Sequence, residues 1–319
     1  MHPKHDGILS IIKQCASPRR LWVGASGVIA GTAVALYTGN LSIWPAMMFL
    51  VAMLSSQLGV NLLRSRLLLK WSEKNTEDIS EDSNGVPMQL LLLEVAKGCY
   101  LITAMAIAGL VCMSGLWALI PGIALAIVMY FYVSGPTPLY GSWGEQFCQF
   151  IFFGPVAVFG TFFYQALHCW HSFDMVMTDS MPALLSSVVI GLLAVNASLI
   201  GKCVADDRDE IPNRKNFVAR LGVKGVSWIV IVNGLIFYAF EWVLLINYQV
   251  PHWGLVALIP TLSFLINFVV GIGMRRNSPT ILKKMYVIAI QNPFLYSLLA
   301  LIVLLILREP GHGGFIIFG

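Results

Sequence analysis

The sequence predicts an all-α membrane protein, a bundle of nine transmembrane helices with its N-terminus in the cytoplasm and its C-terminus outside. Three observations predict it. The first is composition: of 319 residues, 57% are hydrophobic and 11% charged, with a mean hydropathy of +0.77. A soluble domain carries roughly 25% charged residues, so too few remain here to coat a water-facing surface. The second is the recurrence of apolar runs long enough to span a bilayer. The third is the placement of Lys and Arg in alternate connections only.

The apolar runs cover about 21–38, 43–69, 89–111, 116–134, 146–167, 182–202, 225–246, 253–273 and 288–307. A spanning helix needs about 20 mostly apolar residues, and backbone in lipid must satisfy its own hydrogen bonds, which makes each run a helix. Short period-two segments, the mark of an outer-membrane barrel, are missing. The first run begins after Arg20 without a clear small-residue cleavage site and is read as a retained span. Of the 20 Lys and Arg, 18 fall on one side of this layout: before the first run, at the end of the second and just after it, between the sixth and seventh, and between the eighth and ninth. Lys97 lies within the third run and Arg308 stands alone after the ninth. The basic side is the cytoplasmic one. The chain reads as one domain, 1–319, with cytoplasmic loops at about 70–88, 134–145, 203–224 and 274–287.

The net charge of +4 is too small to suggest nucleic acid. Cys15, Cys99, Cys112, Cys148, Cys169 and Cys203 are scattered without a CxxC pair and read as small buried apolar residues. Two connections are long and mix acids with bases, Lys70–Val86 and Lys202–Lys224. They are either solvated loops held near anionic headgroups or two loops facing each other over one site. A third, Ser134–Glu145, has no Lys or Arg, and its Gly135-Pro136 and Gly141–Gly144 suggest tight turns.

Four stretches resemble the UbiA superfamily of intramembrane prenyltransferases, and within it the MenA-like branch that prenylates dihydroxynaphthoate in menaquinone biosynthesis. Residues 57–62 (QLGVNL) are similar to the lead-in to the family's first aspartate motif, and 132–145 (YVSGPTPLYGSWGE) to its Gly-Pro and Gly-x-Gly-Glu loop. Residues 152–165 (FFGPVAVFGTFFYQ) are similar to its fifth helix, and 214–222 (RKNFVARLG) to the tail of its second aspartate motif. The resemblance implies a nine-helix UbiA-like bundle around an apolar cavity. In that family two aspartate-rich motifs hold Mg²⁺ against the diphosphate of a polyprenyl donor. Hard cations on carboxylate oxygens neutralise the leaving group, and apolar walls keep water from the allyl cation.

This sequence departs from that pattern. Counted from Asn61, the first motif's Asn and Asp positions hold Arg64, Ser65, Leu68 and about Lys74. Counted back from Arg220, the second motif's aspartates fall on Ala205 and Asp209, and the preceding Asn on Lys202. Asp206, Asp207 and Glu210 sit beside Asp209 and are the weak metal candidates. One acidic cluster cannot reproduce a two-sided clamp. The positions have turned basic instead: Arg64, Arg66, Lys70, Lys74 and Lys202. Either these bind a diphosphate or another anion directly, or the site has decayed and the bases snorkel to the interface.

Two functions stay open. One is a pseudoenzyme that has lost the Mg-diphosphate site and acts as a quinone- or isoprenoid-binding or structural membrane subunit, which the motif residues favour. The other is an active prenyltransferase moving a polyprenyl group from its diphosphate to an aromatic acceptor, with Mg²⁺ as cofactor. The substrate-binding candidates are Asn61, Arg64, Lys70, Lys202, Lys215 and Glu145, and the catalytic ones, if the chain is active, are Asp206, Asp209 and Arg214. The implied partners are membrane lipid, a quinone or polyprenyl ligand and a membrane-protein complex; the implied location is a bacterial cytoplasmic membrane.

Other polar residues have plainer readings. Glu94 and Lys97 are spaced to pair on one helix face. Glu241 has no evident local partner and is read either at the outer interface or paired across helices. Asn196, Asn233 and Asn267 are read as interhelical hydrogen bonders; the spacing of His168 and His171 allows a metal or haem ligand pair, but Trp170 and His171 are read as interfacial anchors.

Overall fold

A computed structural model describes residue 15 and residues 17–73, 88–136, 138–142, 144–204, 217–247, 253–276 and 278–307. Among these residues there are helices and turns and no strand. Seven helices are long and apolar enough to cross a membrane: α2 (Ile43–Glu73), α3 (Met88–Ser114), α4 (Leu116–Ser134) and α5 (Gly144–Trp170), α6 (Met181–Val204), α7 (Phe217–Asn247) and α9 (Pro279–Ile306). Two shorter apolar helices of 17 residues accompany them, α1 (Leu21–Tyr37) and α8 (Leu258–Met274).

Burial sorts these helices into inside and outside. In α5, 78% of the residues in the most apolar stretch are buried, against 28% in α3, α4 and α9. α1 is nearly as enclosed, packing against α2, α5, α6 and α9. The outer helices instead present large apolar side chains outward, such as Leu101, Met105 and Ile123, each more than half exposed. Apolar surface of that extent is stable facing lipid and not facing water.

The inner helices approach closely because their contacts are small. A side chain at Gly154 of α5 would run into the Ser187 carbonyl of α6, so only glycine allows this spacing. Around it, Phe152–Phe159 forms a π-helical segment containing Pro155. Proline has no N–H to donate and crowds the preceding turn, and a widened turn absorbs both problems. A second π-helical segment, Tyr130–Ser134, ends α4 just before Gly135-Pro136.

The helix bounds differ most from the apolar runs at three starts. α9 starts at Pro279 rather than near 288, so Lys283 and Lys284 are helical. Ser278 is extended ahead of it, and Pro279 takes the first-turn position where its missing N–H costs nothing. α8 starts at Leu258, preceded by a separate short helix, Trp253–Val256. α7 begins at Phe217 but is broken at Gly222, whose φ of 65° is left-handed. The loop residues 74–87 and 205–216 lie outside the described residues, and with them the question of whether those loops face each other.

A buried amide chain ties the bundle's second half together. Asn233 donates to Asn196 Oδ1 at 2.9 Å, and Asn196 donates to Asn267 Oδ1 at 3.0 Å and to the Val230 carbonyl. Asn267 donates to the Ser263 carbonyl at 2.9 Å, while the Ser263 hydroxyl donates to Asn292 at 3.1 Å. These groups bond each other across α6, α7, α8 and α9, as interhelical bonders do. Glu94 and Lys97 form the expected i,i+3 pair at 2.7 Å, with both side chains more than half exposed.

Candidate functional site

A cavity of about 650 Å³, mouth included, opens at one end of the bundle. It lies between the first turn of α1, the middle of α2, the π-helical turns of α4 and α5, the second half of α6 and the start of α9. Val60, Met129, Phe152, Phe153 and Ile290 make its wall mostly apolar. Arg20, Gln57, Asn61, Tyr132, Gln149 and Ser198 add polar groups to the lining. Gln57 Nε2 donates to the Arg20 carbonyl at 2.7 Å, and Gln149 Nε2 donates to the Tyr132 hydroxyl at 2.8 Å. Such a space suits an apolar chain with a polar head at one end.

Next to the cavity stands a buried charge cluster. Residues 138–142 fold back on the end of α4, with Leu139 and Tyr140 N–H donating to the Phe131 and Tyr132 carbonyls, both at 3.0 Å. This carries Tyr140 fully inside. The Arg64 guanidinium lies 4.8 Å from the Tyr140 ring centroid and the Lys202 ammonium 4.3 Å, so the ring's electron-rich faces meet two cations. Gly141, at a φ of 74°, donates its N–H to Glu145 Oε2 at 2.8 Å, a turn that a side chain there would strain. The same carboxylate pairs with Lys202 Nζ at 3.1 Å, with both side chains under a tenth exposed. Tyr132 donates to the other oxygen, Glu145 Oε1, at 3.4 Å.

The structure thus brings together Asn61, Arg64, Lys202 and Glu145 of the sequence-predicted residues. Asn61 is on the cavity wall, and Arg64 follows it about one turn on. Lys70 is exposed at the far end of α2 and takes no part. Asp206, Asp209, Glu210, Arg214 and Lys215 lie outside the described residues. Tyr140, Tyr132 and Gln149 are the members sequence reasoning did not single out. The signal for Tyr140 was its place between Pro138 and Gly141, where an apolar ring in a turn needs somewhere to go.

The described part of this cluster does not fit a divalent cation. Its one carboxylate is already held by an ammonium and a backbone N–H, and the further charged group on the Tyr140 ring, Arg64, is positive. Among the described residues no three His, Cys, Asp or Glu side chains come together. His168 and His171 are no exception: their ring centroids are 6.1 Å apart, and His168 Nδ1 lies 3.3 Å from the Met113 carbonyl.

No family model matches the chain. The chain is 28% identical over 188 residues to the 1,4-dihydroxy-2-naphthoate octaprenyltransferase of Mycobacterium leprae, a match covering 55% of this chain and 60% of that one. It is 30% identical over 164 residues to the protein of the same name from Mycobacterium tuberculosis, covering 48% and 53%. The matched part thus spans somewhat more than half the length of these relatives. In structure it is similar to a UbiA homolog from Aeropyrum pernix K1 solved without ligand, with a TM-score of 0.65, covering 88% of this chain and 97% of that one at 14% identity. The sequence resemblance and the shared fold agree: over about half its length the chain is similar to MenA-like octaprenyltransferases, and it shares the fold of a UbiA homolog.

Proposed function

We propose that this chain binds a quinone or other isoprenoid in the apolar cavity and does not carry out prenyl transfer. The observation that carries this reading is the buried Lys202–Glu145 pair beside Arg64 and Tyr140. A magnesium clamp needs carboxylates converging from two helices on a space left open for the ion. Here that space is bounded by an ammonium and a guanidinium belonging to the chain itself, and electrostatic repulsion opposes a divalent cation between them. With two cations against one carboxylate, the cluster favours an electron-rich head, such as a quinone carbonyl, in the cavity beside it.

The rest of the reading is supported by the helix lengths and the placement of Lys and Arg. All nine apolar helices cross the membrane, since α1 and α8, at 17 residues, reach the lower bound of about 17 for a span. The basic end faces the cytoplasm and the chain ends outside, in a bacterial cytoplasmic membrane. The whole chain is a single unit, and a further membrane protein is its natural associate if the role is structural.

An active prenyltransferase is the second reading, supported by the activity in the names of the two mycobacterial relatives. In that case Asp206, Asp209 and Arg214 carry the chemistry. The test uses the purified chain in lipid nanodiscs with Mg²⁺, a polyprenyl diphosphate and dihydroxynaphthoate. Expected is no prenylated product, together with quinone or isoprenoid extracted from the protein in near-stoichiometric amount. Product formation that needs Asp206 or Asp209 would overturn the proposal.

A further inference from the structure

A second cavity, about 680 Å³ with its open part, lies at the opposite end of the bundle. It shares α1, α6 and α9 with the first, at their other ends, and adds α7. On α6 it is lined by Ser186 where the first uses Ala197, and on α9 by Ala300 where the first uses Ile290. At 1.5 Å per residue each pair is about 15 Å apart along its helix. Its wall is aliphatic, including Val34, Leu245 and Leu304.

One carboxyl group lines it. Glu241 of α7 is 5% exposed and accepts a hydrogen bond from the Tyr296 hydroxyl of α9 through Oε1. Its other carboxyl oxygen has no hydrogen-bond partner among the described residues, and no Lys, Arg or His among them pairs with it. A carboxyl group placed at membrane depth with one phenolic partner is costly unless something else satisfies it. Ser186 and Tyr296 are hydroxyl-bearing, so the lining has no fixed positive charge to hold an anion or a lipid phosphate.

We infer that this cavity is a second ligand site, for a single-chain amphiphile whose head donates hydrogen bonds to Glu241, an alcohol or an ammonium, with its apolar chain against the aliphatic wall. The head would meet the free carboxyl oxygen, and the chain would replace lipid in a space that side chains leave unfilled. The inference rests on different residues from the cytoplasmic-end proposal and survives or fails independently of it.

The experiment is photo-crosslinking of the full chain in nanodiscs with tail-diazirine dodecylamine and dodecanol, mapped by mass spectrometry. Dodecyl methyl ether and dodecanoate bearing the same tail serve as the non-donating and anionic probes. At least one donor probe should label residues 241–245 or 296–304 about tenfold more strongly than the ether, and Glu241→Gln should reduce that labelling by about the same factor, the scale of a hydrogen bond to a charged group. Tyr296→Phe frees the oxygen that the phenol occupied and should raise amine labelling, a direction that a purely structural Glu241 would not produce. Labelling around Phe152 and Ile290 reports that each variant is folded. Equal labelling by ether or dodecanoate, or indifference to Glu241→Gln, overturns the site. So does a several-fold rise in His252→Ala/Arg308→Ala, residues outside the described ones, because one of them would then be the carboxylate's counter-ion.

Discussion

Glu145 and Glu241 are buried carboxyl groups at opposite ends of one bundle, 2% and 5% exposed, and their surroundings treat them differently. Glu145 has an ammonium, a backbone N–H and a phenol. Glu241 has a phenol alone among the described residues. A carboxylate surrounded by the chain's own donors is part of the scaffold, and removing it leaves its partners stranded. One left half-satisfied beside a cavity leaves bonding capacity for something that is not the chain. The contrast separates a structural acid from a recognition acid without reference to position in the sequence.

The sharpest way to break that contrast is Glu145→Gln. Lys202 would stay buried at 8% exposure without its counter-charge, at a cost of about 3–5 kcal/mol. Denaturant titration in mixed micelles should show this loss, and adding Lys202→Met should restore most of it, since neither buried charge then remains. Glu241→Gln should change stability by well under half as much. If both single variants behaved alike, the two acids would be equivalent and the distinction would fail.

The next effect tests whether the basic end depends on close helix packing. Glu145 is on α5 and Lys202 on α6, and Gly154 is a point of close approach between these helices. Gly154→Val must push the Ser187 carbonyl away, at about 2–3 kcal/mol for an overpacked core. The same shift should loosen the Lys202–Glu145 pair, so the loss measured in Glu145→Gln should shrink when both substitutions are combined. Additive losses would mean that the spacing at Gly154 and the ion pair are independent.

A smaller effect belongs to the amide chain between the two ends. Asn196 bonds groups on α7 and α8 from α6. Asn196→Leu should cost about 1–2 kcal/mol, because interhelical hydrogen bonds in membranes are worth little singly. Denaturation in micelles reads it, and a loss near that of Glu145→Gln would place the organising polar centre at mid-bundle instead.

How much of this was legible in the sequence depends on what each feature rests on. Helix interiors were legible because a run such as 182–202 must be helical in lipid whatever surrounds it. The start of α9 was not, because Lys283 and Lys284 lower the hydropathy of residues that are helical all the same. The π-helical form around Pro155 was not legible, because it depends on packing against α6 and α1. At the site, the change to Arg64 and Lys202 was visible as a change of charge. That Lys202 is held by Glu145, and that both cations meet the Tyr140 ring, was not: each contact joins elements far apart in the chain. Glu241 stood out as a costly residue; its phenolic partner sits two helices later, in α9.

The smallest effect is the control on the argument from burial. Glu94 and Lys97 form an ion pair at 2.7 Å, shorter than the 3.1 Å between Lys202 and Glu145. Judged by distance, it is the stronger of the two. Both of its side chains are more than half exposed, however, so solvent or headgroups can replace either partner, and the pair gains little over its separated ions. Lys97→Ala should therefore change stability by less than about 0.5 kcal/mol, the range for exposed i,i+3 and i,i+4 pairs, and that change should fade in high salt. The Glu145→Gln loss should persist there, because its charges are shielded by protein rather than by ions. A salt-sensitive Lys202–Glu145 pair would mean that water reaches it, and it would then be a solvated ion pair rather than a buried one.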